Sequence, residues 1–377
     1  MHAPSPPPSS LRSAAPAMVD QHSHHVVCTD LGLGAFERHL AAAAGSGGGP
    51  GDPGGPGGRA AGNIGIAGNI GNVFDSRTGL ALRRWCGPLL GLDPDVLPVR
   101  YLARRRELGA YRATCALLRG SGIATLLMDP TPAPGLPDAP AAVPHEGMRE
   151  LVPLDRLAVQ VADTSGTVRG FLANIGDALH SAARTAPAFV CDARELQGTD
   201  GTPPDPADVG RAAGNWLADH TAAAATAPPA QVTLHLLWGA LCAGRPVQLR
   251  CTDPASLAGL LRATAGRGSL VLLPGRAYHR RAAALAGAFA HVHADTGPDP
   301  RQTLGEAPFG KLLFSTGARL LPELHVIRAR QFRLALHRLL AEWTADDACT
   351  PADAARITAL VTADNARRLY GLDTAGS

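Results

Sequence analysis

The sequence predicts an α/β fold, a (β/α)8 barrel of eight parallel strands alternating with helices. Three observations predict it. Short apolar runs of strand length alternate with longer amphipathic stretches along most of the 377 residues, the rhythm of a parallel sheet crossed by helices. Eight such runs are present, which suits a closed barrel. No G-x-G-x-x-G follows the first run, as an open dinucleotide-binding sheet would require. A hydrophobic fraction of 45% supplies one large core.

Taken in order, residues 1–17 are rich in Pro, Ser and Ala and predict a disordered extension. Met18 closes that tract, which reads as an upstream extension or a misassigned start. The barrel is expected over 18–372, followed by a tail at 373–377. Strands are predicted at 19–22, 124–129, 151–155, 188–192, 247–249, 270–273, 291–295 and 311–316. Helices are predicted at 99–119, 168–184, 206–220, 232–243, 254–265, 279–290, 322–343 and 351–363. Residues 41–72 hold the near-repeat Gly62-Asn63-Ile64-Gly65 and Gly68-Asn69-Ile70-Gly71 and predict a flexible loop; no G-K-[ST] follows to make it a phosphate cradle. Residues 296–310 leave little length for a crossover helix between the last two strands, so the barrel is expected to be trimmed near strands five to eight.

Bulk properties exclude several function classes. A net charge of +3 gives no electrostatic footprint for nucleic acid, and aromatics at 4% offer no base-stacking platform. No run of eighteen apolar residues predicts a membrane span, and the N-terminus lacks the apolar core of a secretory signal. The seven cysteines are scattered and never paired as C-x-x-C, so they read as thiols in a reducing cytoplasm. Lys311 is the only lysine, which forbids lysine chemistry elsewhere.

Chemistry in such a barrel sits at the carboxyl ends of the strands. The first strand ends Asp20-Gln21-His22-Ser23-His24-His25. Residues two apart in a strand point the same way, so His22 and His24 project together into the barrel mouth, two imidazoles suited to a zinc-type ion.

Asp20-x-His22-x-His24 resembles the opening motif of the amidohydrolase-related family of metal-dependent barrel hydrolases, and is most similar to the branch related to FluG-type proteins. The same resemblance is carried by Phe74-Asp75-Ser76, by Arg83-Arg84-Trp85-Cys86-Gly87-Pro88-Leu89-Leu90, by Tyr101-Leu102-Ala103-Arg104-Arg105, and by Leu237-Trp238. Further along, Gly310-Lys311-Leu312-Leu313-Phe314-Ser315-Thr316 with Leu321-Pro322-Glu323-Leu324, and Asp364-Asn365-Ala366-Arg367-Arg368-Leu369-Tyr370-Gly371-Leu372, resemble its eighth strand and its C-terminal signature. The resemblance implies hydrolysis of a C–N or related bond of a small molecule by metal-activated water.

The chain departs from that pattern at each further ligand. Where the resemblance implies a histidine at strand five, the chain reads Gln248-Leu249-Arg250, and a guanidinium cannot ligate a cation. Strand six reads Leu272-Leu273-Pro274-Gly275-Arg276 in place of a further histidine, although Tyr278-His279-Arg280 still matches. The implied general-base aspartate of strand eight is Gly317, and no lysine stands at strand four to bridge two metals. With His22 and His24 alone, one divalent ion such as zinc is weakly held or absent. Asp192 and Asp295 fall at strand ends and offer oxygen ligands to complete a two-histidine, one-carboxylate set, though a turn-capping role suits each as well. Arg250, Arg276 and Asp129 are candidates for binding a small ligand, the arginines for an anion. The alternative reading is a catalytically inactive barrel that binds a small anion or a partner protein.

Overall fold

Nine strand segments fill eight parallel positions in the computed structural model, which describes residues 17–45, 73–131, 147–222 and 227–372. β1 (Met18–His24), β2 (Ile123–Asp129) and β3 (Met148–Glu150) form one parallel ladder. β4 (Val152–Pro153), β5 (Phe189–Asp192), β6 (Val247–Arg250), β7 (Leu270–Leu273), β8 (Val292–Asp295) and β9 (Leu312–Leu313) form the other. Backbone hydrogen bonds join the two into a ring. Leu151 N–H donates to Met128 O at 2.8 Å and Val152 N–H to Ala188 O at 3.2 Å, so β3 and β4 share the third barrel position. At the opposite seam Gln21 N–H donates to Phe314 O at 3.0 Å, Gly317 N–H to His22 O at 3.0 Å, and His24 N–H to Ala318 O at 2.8 Å. The fifth to eighth barrel strands are therefore β6 to β9.

The pleat sorts the side chains. Val19, Leu127, Val190, Val271 and Leu313 pack together inside the ring, while their neighbours Met18, Leu126, Phe189, Leu270 and Leu312 face the surrounding helices. The inner cluster also contains Leu151, Ala363, Ala366 and Tyr370, so the chain's C-terminal helix closes the bottom of the barrel. That leaves the polar strand ends as the lining of the upper mouth.

Helices α1 (Leu33–Gly45), α2 (Arg77–Cys86), α3 (Pro98–Leu108) and α4 (Ala110–Gly120) lie between β1 and β2. α5 (Leu154–Ala162) and α6 (Val168–Ala183) precede β5; α7 (Pro206–Ala222) and α8 (Ala230–Cys242) precede β6. α9 (Ala258–Ala263) and α10 (His279–Ala288) connect β6 to β7 and β7 to β8. α11 (Pro322–Ala345), α12 (Pro351–Ala359) and α13 (Asn365–Tyr370) follow β9. Local chemistry accounts for several boundaries. Ser76 caps α2 by accepting from Gly79 N–H, and Thr350 and Asp353 form a capping box around Pro351 at the start of α12.

Three expectations change and one holds. The single helix expected over 99–119 is two, because Gly109 takes a left-handed φ of +77° between them. The strand expected at 151–155 stops at Pro153, and Leu154 already begins α5. Residues 41–45 end α1 and are not loop; the rest of the glycine-rich stretch, at 46–72, lies outside the described residues, as do 1–16 and 373–377. Only short 3-10 turns at Pro300–Gln302 and Phe309–Lys311 join β8 to β9, in line with a crossover too short for a helix. Among the described residues no helix is long and apolar enough to cross a membrane.

Candidate functional site

The register of β1 against β2 shifts between Asp20 and Ser23, an irregularity that re-aims side chains at a strand end. Gln21 and His22 both reach the barrel interior, where both hydrogen-bond to Gln248 of β6. Asp20 ties β1 to the segment after β9. Its carboxylate accepts from His22 N–H at 3.3 Å, from Thr316 N–H at 2.9 Å and from the Thr316 hydroxyl, with the buried His325 ring 3.6 Å away.

His22, His24 and Asp129, the last residue of β2, then converge. One ligand-type atom from each lies within 4.8 Å of the others, and all three side chains are buried. The imidazoles meet edge to face with ring centroids 5.0 Å apart.

Gln248 sets the tautomer of His22. Its Nε2 donates toward Gln21 O at 2.7 Å, Gln21 Oε1 at 3.0 Å and Tyr370 Oη at 2.9 Å. Oε1 is left as the acceptor, so the 2.8 Å contact to His22 Nδ1 is an N–H donated by the ring. Neutral His22 therefore carries its lone pair on Nε2, the arrangement that an outer hydrogen bond imposes on ligating histidines. The Tyr370 hydroxyl donates to Gln21 Oε1 at 2.7 Å, linking the plug helix α13 to this network.

His24 is held from the other side. Arg319 donates from Nη2 to His24 Nε2 at 2.7 Å, which places the proton of a neutral ring on Nδ1, a buried nitrogen without a partner among the described residues. Burial lowers the pKa of His22, and burial together with the Arg319 charge lowers that of His24 well below the usual range. Both rings are neutral at pH 7, the form that ligates a metal. Burial opposes the charge on Asp129, but the neighbouring His24, the Arg250 guanidinium and the Thr131 hydrogen bond hold its carboxyl well below the usual carboxylate range. Asp129 Oδ1 accepts from Thr131 N–H at 2.9 Å and from the Thr131 hydroxyl at 2.5 Å, while Oδ2 accepts from Arg250 Nη1 at 3.1 Å.

The other strand ends surround this cluster. Arg250 is braced by Asp129 and lies 3.8 Å from Asp155 and 3.9 Å from Asp192; its buried Nε has no partner among the described residues. Asp192 is engaged by Arg194, whose Nε donates to it at 2.8 Å. Asp295 is buried, which raises its pKa; it accepts from Gly297 N–H at 2.6 Å and from the Ser315 hydroxyl, and Gln21 Nε2 lies 3.5 Å away. Arg276 stands exposed on the turn after β7, and its charge adds to that of Arg319 in lowering the pKa of the buried Arg328, chiefly a burial effect. Gly317 adopts a left-handed φ of +52°, and Arg328 donates to its carbonyl at 2.7 Å. The His279 ring sits against Gly297, with its Nδ1 3.1 Å from Arg276 O. Lys311 is spent elsewhere, donating to Ala290 O.

The carboxylate that joins the two histidines is thus Asp129, expected as a ligand-binding residue, whereas Asp192 and Asp295 are engaged by their own neighbours. Sequence reasoning did not single out Gln248, Arg319 or Tyr370 for the roles they take. Tyr370 had a local signal in the C-terminal match and Gln248 one in its place two residues before Arg250; Arg319 had none.

Two imidazoles and an ionised carboxylate form a donor set that fits a divalent ion of the zinc type. Among the described residues the buried His24 Nδ1 has no hydrogen-bond partner.

No family model matches the chain, and no curated protein matches it. The structure is similar to a protein from Lactobacillus casei described as a metal-dependent hydrolase, at 15% identity and a TM-score of 0.73, covering 94% of this chain and 95% of that one. It is also similar to a uronate isomerase from Bacillus halodurans, at 13% identity, a TM-score of 0.61 and coverage of 94% and 93%. A uronate isomerase from Thermotoga maritima matches at 12% identity, a TM-score of 0.56 and coverage of 95% of both chains. These likenesses establish the fold.

Proposed function

We propose that the chain is a metal-dependent enzyme acting on a small molecule, with His22, His24 and Asp129 holding one divalent ion, zinc by its common use of imidazole and carboxylate donors. The convergence of these three side chains within 4.8 Å at the ends of two neighbouring strands carries the reading. Such an ion, when bound, polarises a substrate oxygen or acidifies a water molecule. The chain's own residues divide the rest. Gln248 keeps the His22 lone pair directed at the cluster, and Asp295 supplies the carboxyl that holds or accepts a proton, since Gly317 supplies none. Arg250 and Arg276 offer positive charge to an anionic portion of the substrate. The resemblance of the strand-end motifs to the FluG-related branch favours hydrolysis of a C–N bond as the reaction, in the cytoplasm.

Elemental analysis of the purified protein tests this. About one equivalent of zinc is expected, lost in His22→Ala and in Asp129→Asn with the fold intact by circular dichroism. Absence of bound metal after reconstitution with zinc would instead favour the reading of a binding barrel, for which the Arg250–Asp129 ion pair at 3.1 Å is the supporting observation.

A further inference from the structure

A neutral imidazole has one lone pair, and on His24 that pair is held by Arg319 at 2.7 Å. The consequence does not depend on which ring nitrogen meets a metal. If Nε2 ligates, Arg319 must leave it. If Nδ1 ligates, the ring proton moves to Nε2 and points at the N–H donors of the guanidinium. In either case the Arg319 contact and a metal on His24 exclude each other.

Arg319 differs from Arg250 in what holds it. Arg250 lies among three carboxylates, those of Asp129, Asp155 and Asp192, and its bond to Asp129 leaves that carboxylate a lone pair on Oδ2. Among the described residues the Arg319 side chain has His24 as its hydrogen-bond partner and forms no ion pair. It is half-buried, is attracted by the Asp129 carboxylate without pairing to it, and is repelled by the guanidiniums of Arg250 and Arg328. A buried charge so placed is stabilised by any oxyanion that reaches the mouth.

We propose that Arg319 is a displaceable internal cation: it occupies the His24 lone pair until a small oxyanion ligand draws it away, so that metal and anionic ligand bind with positive coupling. This rests on the metal site proposed above and adds to it the class of ligand, a small molecule bearing a carboxylate or phosphate. Because coupling is reciprocal, whatever pulls Arg319 toward the anion raises metal affinity by the same factor that metal raises anion affinity.

The test is titration of the apo protein with Co2+, followed by calorimetry and by the visible spectrum of the bound ion, with and without saturating malonate or inorganic phosphate. Arg319→Met is expected to bind Co2+ about tenfold or more tightly than the unmodified protein, within the ~5–150-fold range usual for coupled sites. Malonate or phosphate is expected to tighten Co2+ binding in the unmodified protein and to leave Arg319→Met unchanged. Arg319→Gln repeats the measurement in case the methionine variant is misfolded, and thermal melts report folding of each. A response to one anion and not the other identifies the group recognised. Equal or weaker Co2+ affinity in both variants, or an anion effect that persists without Arg319, overturns the proposal while the metal site stands. Failure of every form to bind Co2+ overturns both.

Discussion

Replacing Gln248 by leucine separates the metal-centre reading from a purely structural one. The Gln248 side chain contacts His22 Nδ1 at 2.8 Å, Gln21 O at 2.7 Å, Gln21 Oε1 at 3.0 Å and Tyr370 Oη at 2.9 Å. Leucine is of similar size, so the change removes polarity with little loss of volume. Gln21 Oε1 keeps a donor in the Tyr370 hydroxyl, but the His22 Nδ1–H and the Gln21 carbonyl are left buried without partners. At ~1–3 kcal/mol for each of the two buried unsatisfied groups, the loss of stability is ~2–6 kcal/mol. The metal-binding cost is separate: freed of its acceptor, the His22 ring can swap tautomer, and loss of such an orienting hydrogen bond typically weakens metal affinity by ~10–100-fold. Urea denaturation measures the first effect, and Co2+ titration under native conditions the second. Gln248→Leu that is destabilised as expected yet binds Co2+ like the unmodified protein refutes the orienting role. A variant with neither change refutes the hydrogen-bond assignment itself.

Two further predictions concern the rest of the molecule. Arg105 and Glu323 form a buried ion pair at 3.0 Å, with the Tyr101 hydroxyl donating to the same Glu323 oxygen, so Arg105→Met is expected to lose ~3–5 kcal/mol by isolating the glutamate. Urea melts should show Arg105→Met/Glu323→Met to be more stable than Arg105→Met alone; a double variant no better than the single shows that the stranded charge is not the cause. Burial, with help from Lys311 and Arg368, lowers the pKa of His293 from 6.5 to about 4, so between those values the unfolded chain takes up a proton that the native state refuses. Stability is therefore lost as pH falls from 6.5 towards 4, and the lowered pKa values of His22 and His24 act in the same direction. For His293 the full shift is worth at most ~3 kcal/mol, reduced to ~1–2 kcal/mol by partial exposure. His293→Phe should show that much less acid sensitivity in melts at pH 7.5 and pH 5; an unchanged difference assigns the effect elsewhere.

The barrel was legible because its signals are local. Apolar runs such as Leu270–Leu273 and alternating ones such as Val247–Arg250 are bounded by turn residues, and the pleat places alternate side chains on opposite faces whatever lies beyond. The break at Gly109 and the early start of α5 at Leu154 were not legible, since amphipathic periodicity continues across a glycine hinge and Pro153 suits a strand end and a helix start alike.

For the site, the residues themselves were enough to pair His22 with His24 on one side of the first strand, to place Asp129, Asp192, Asp295 and Arg250 at strand ends, and to show that Gly317 carries no carboxylate; the irregularity between Asp20 and Ser23 is what turns His22 inward beside Gln21. Which carboxylate joins the histidines was a question of register around the closed ring: β1 pairs with β2, so His24 stands opposite Asp129, while Asp192 and Asp295 belong to strands further round. The partners that set the chemistry are more distant still. Gln248 fixes the His22 tautomer from 226 residues away, and Arg319 holds His24 from 295 residues away. No periodicity links such positions, because hydrogen-bond partners inside a barrel are chosen by the closure of the sheet and the packing of its ends. Residue type and strand parity belong to the chain read locally; tautomer, charge state and competition for a lone pair arise only when distant strands share one buried space.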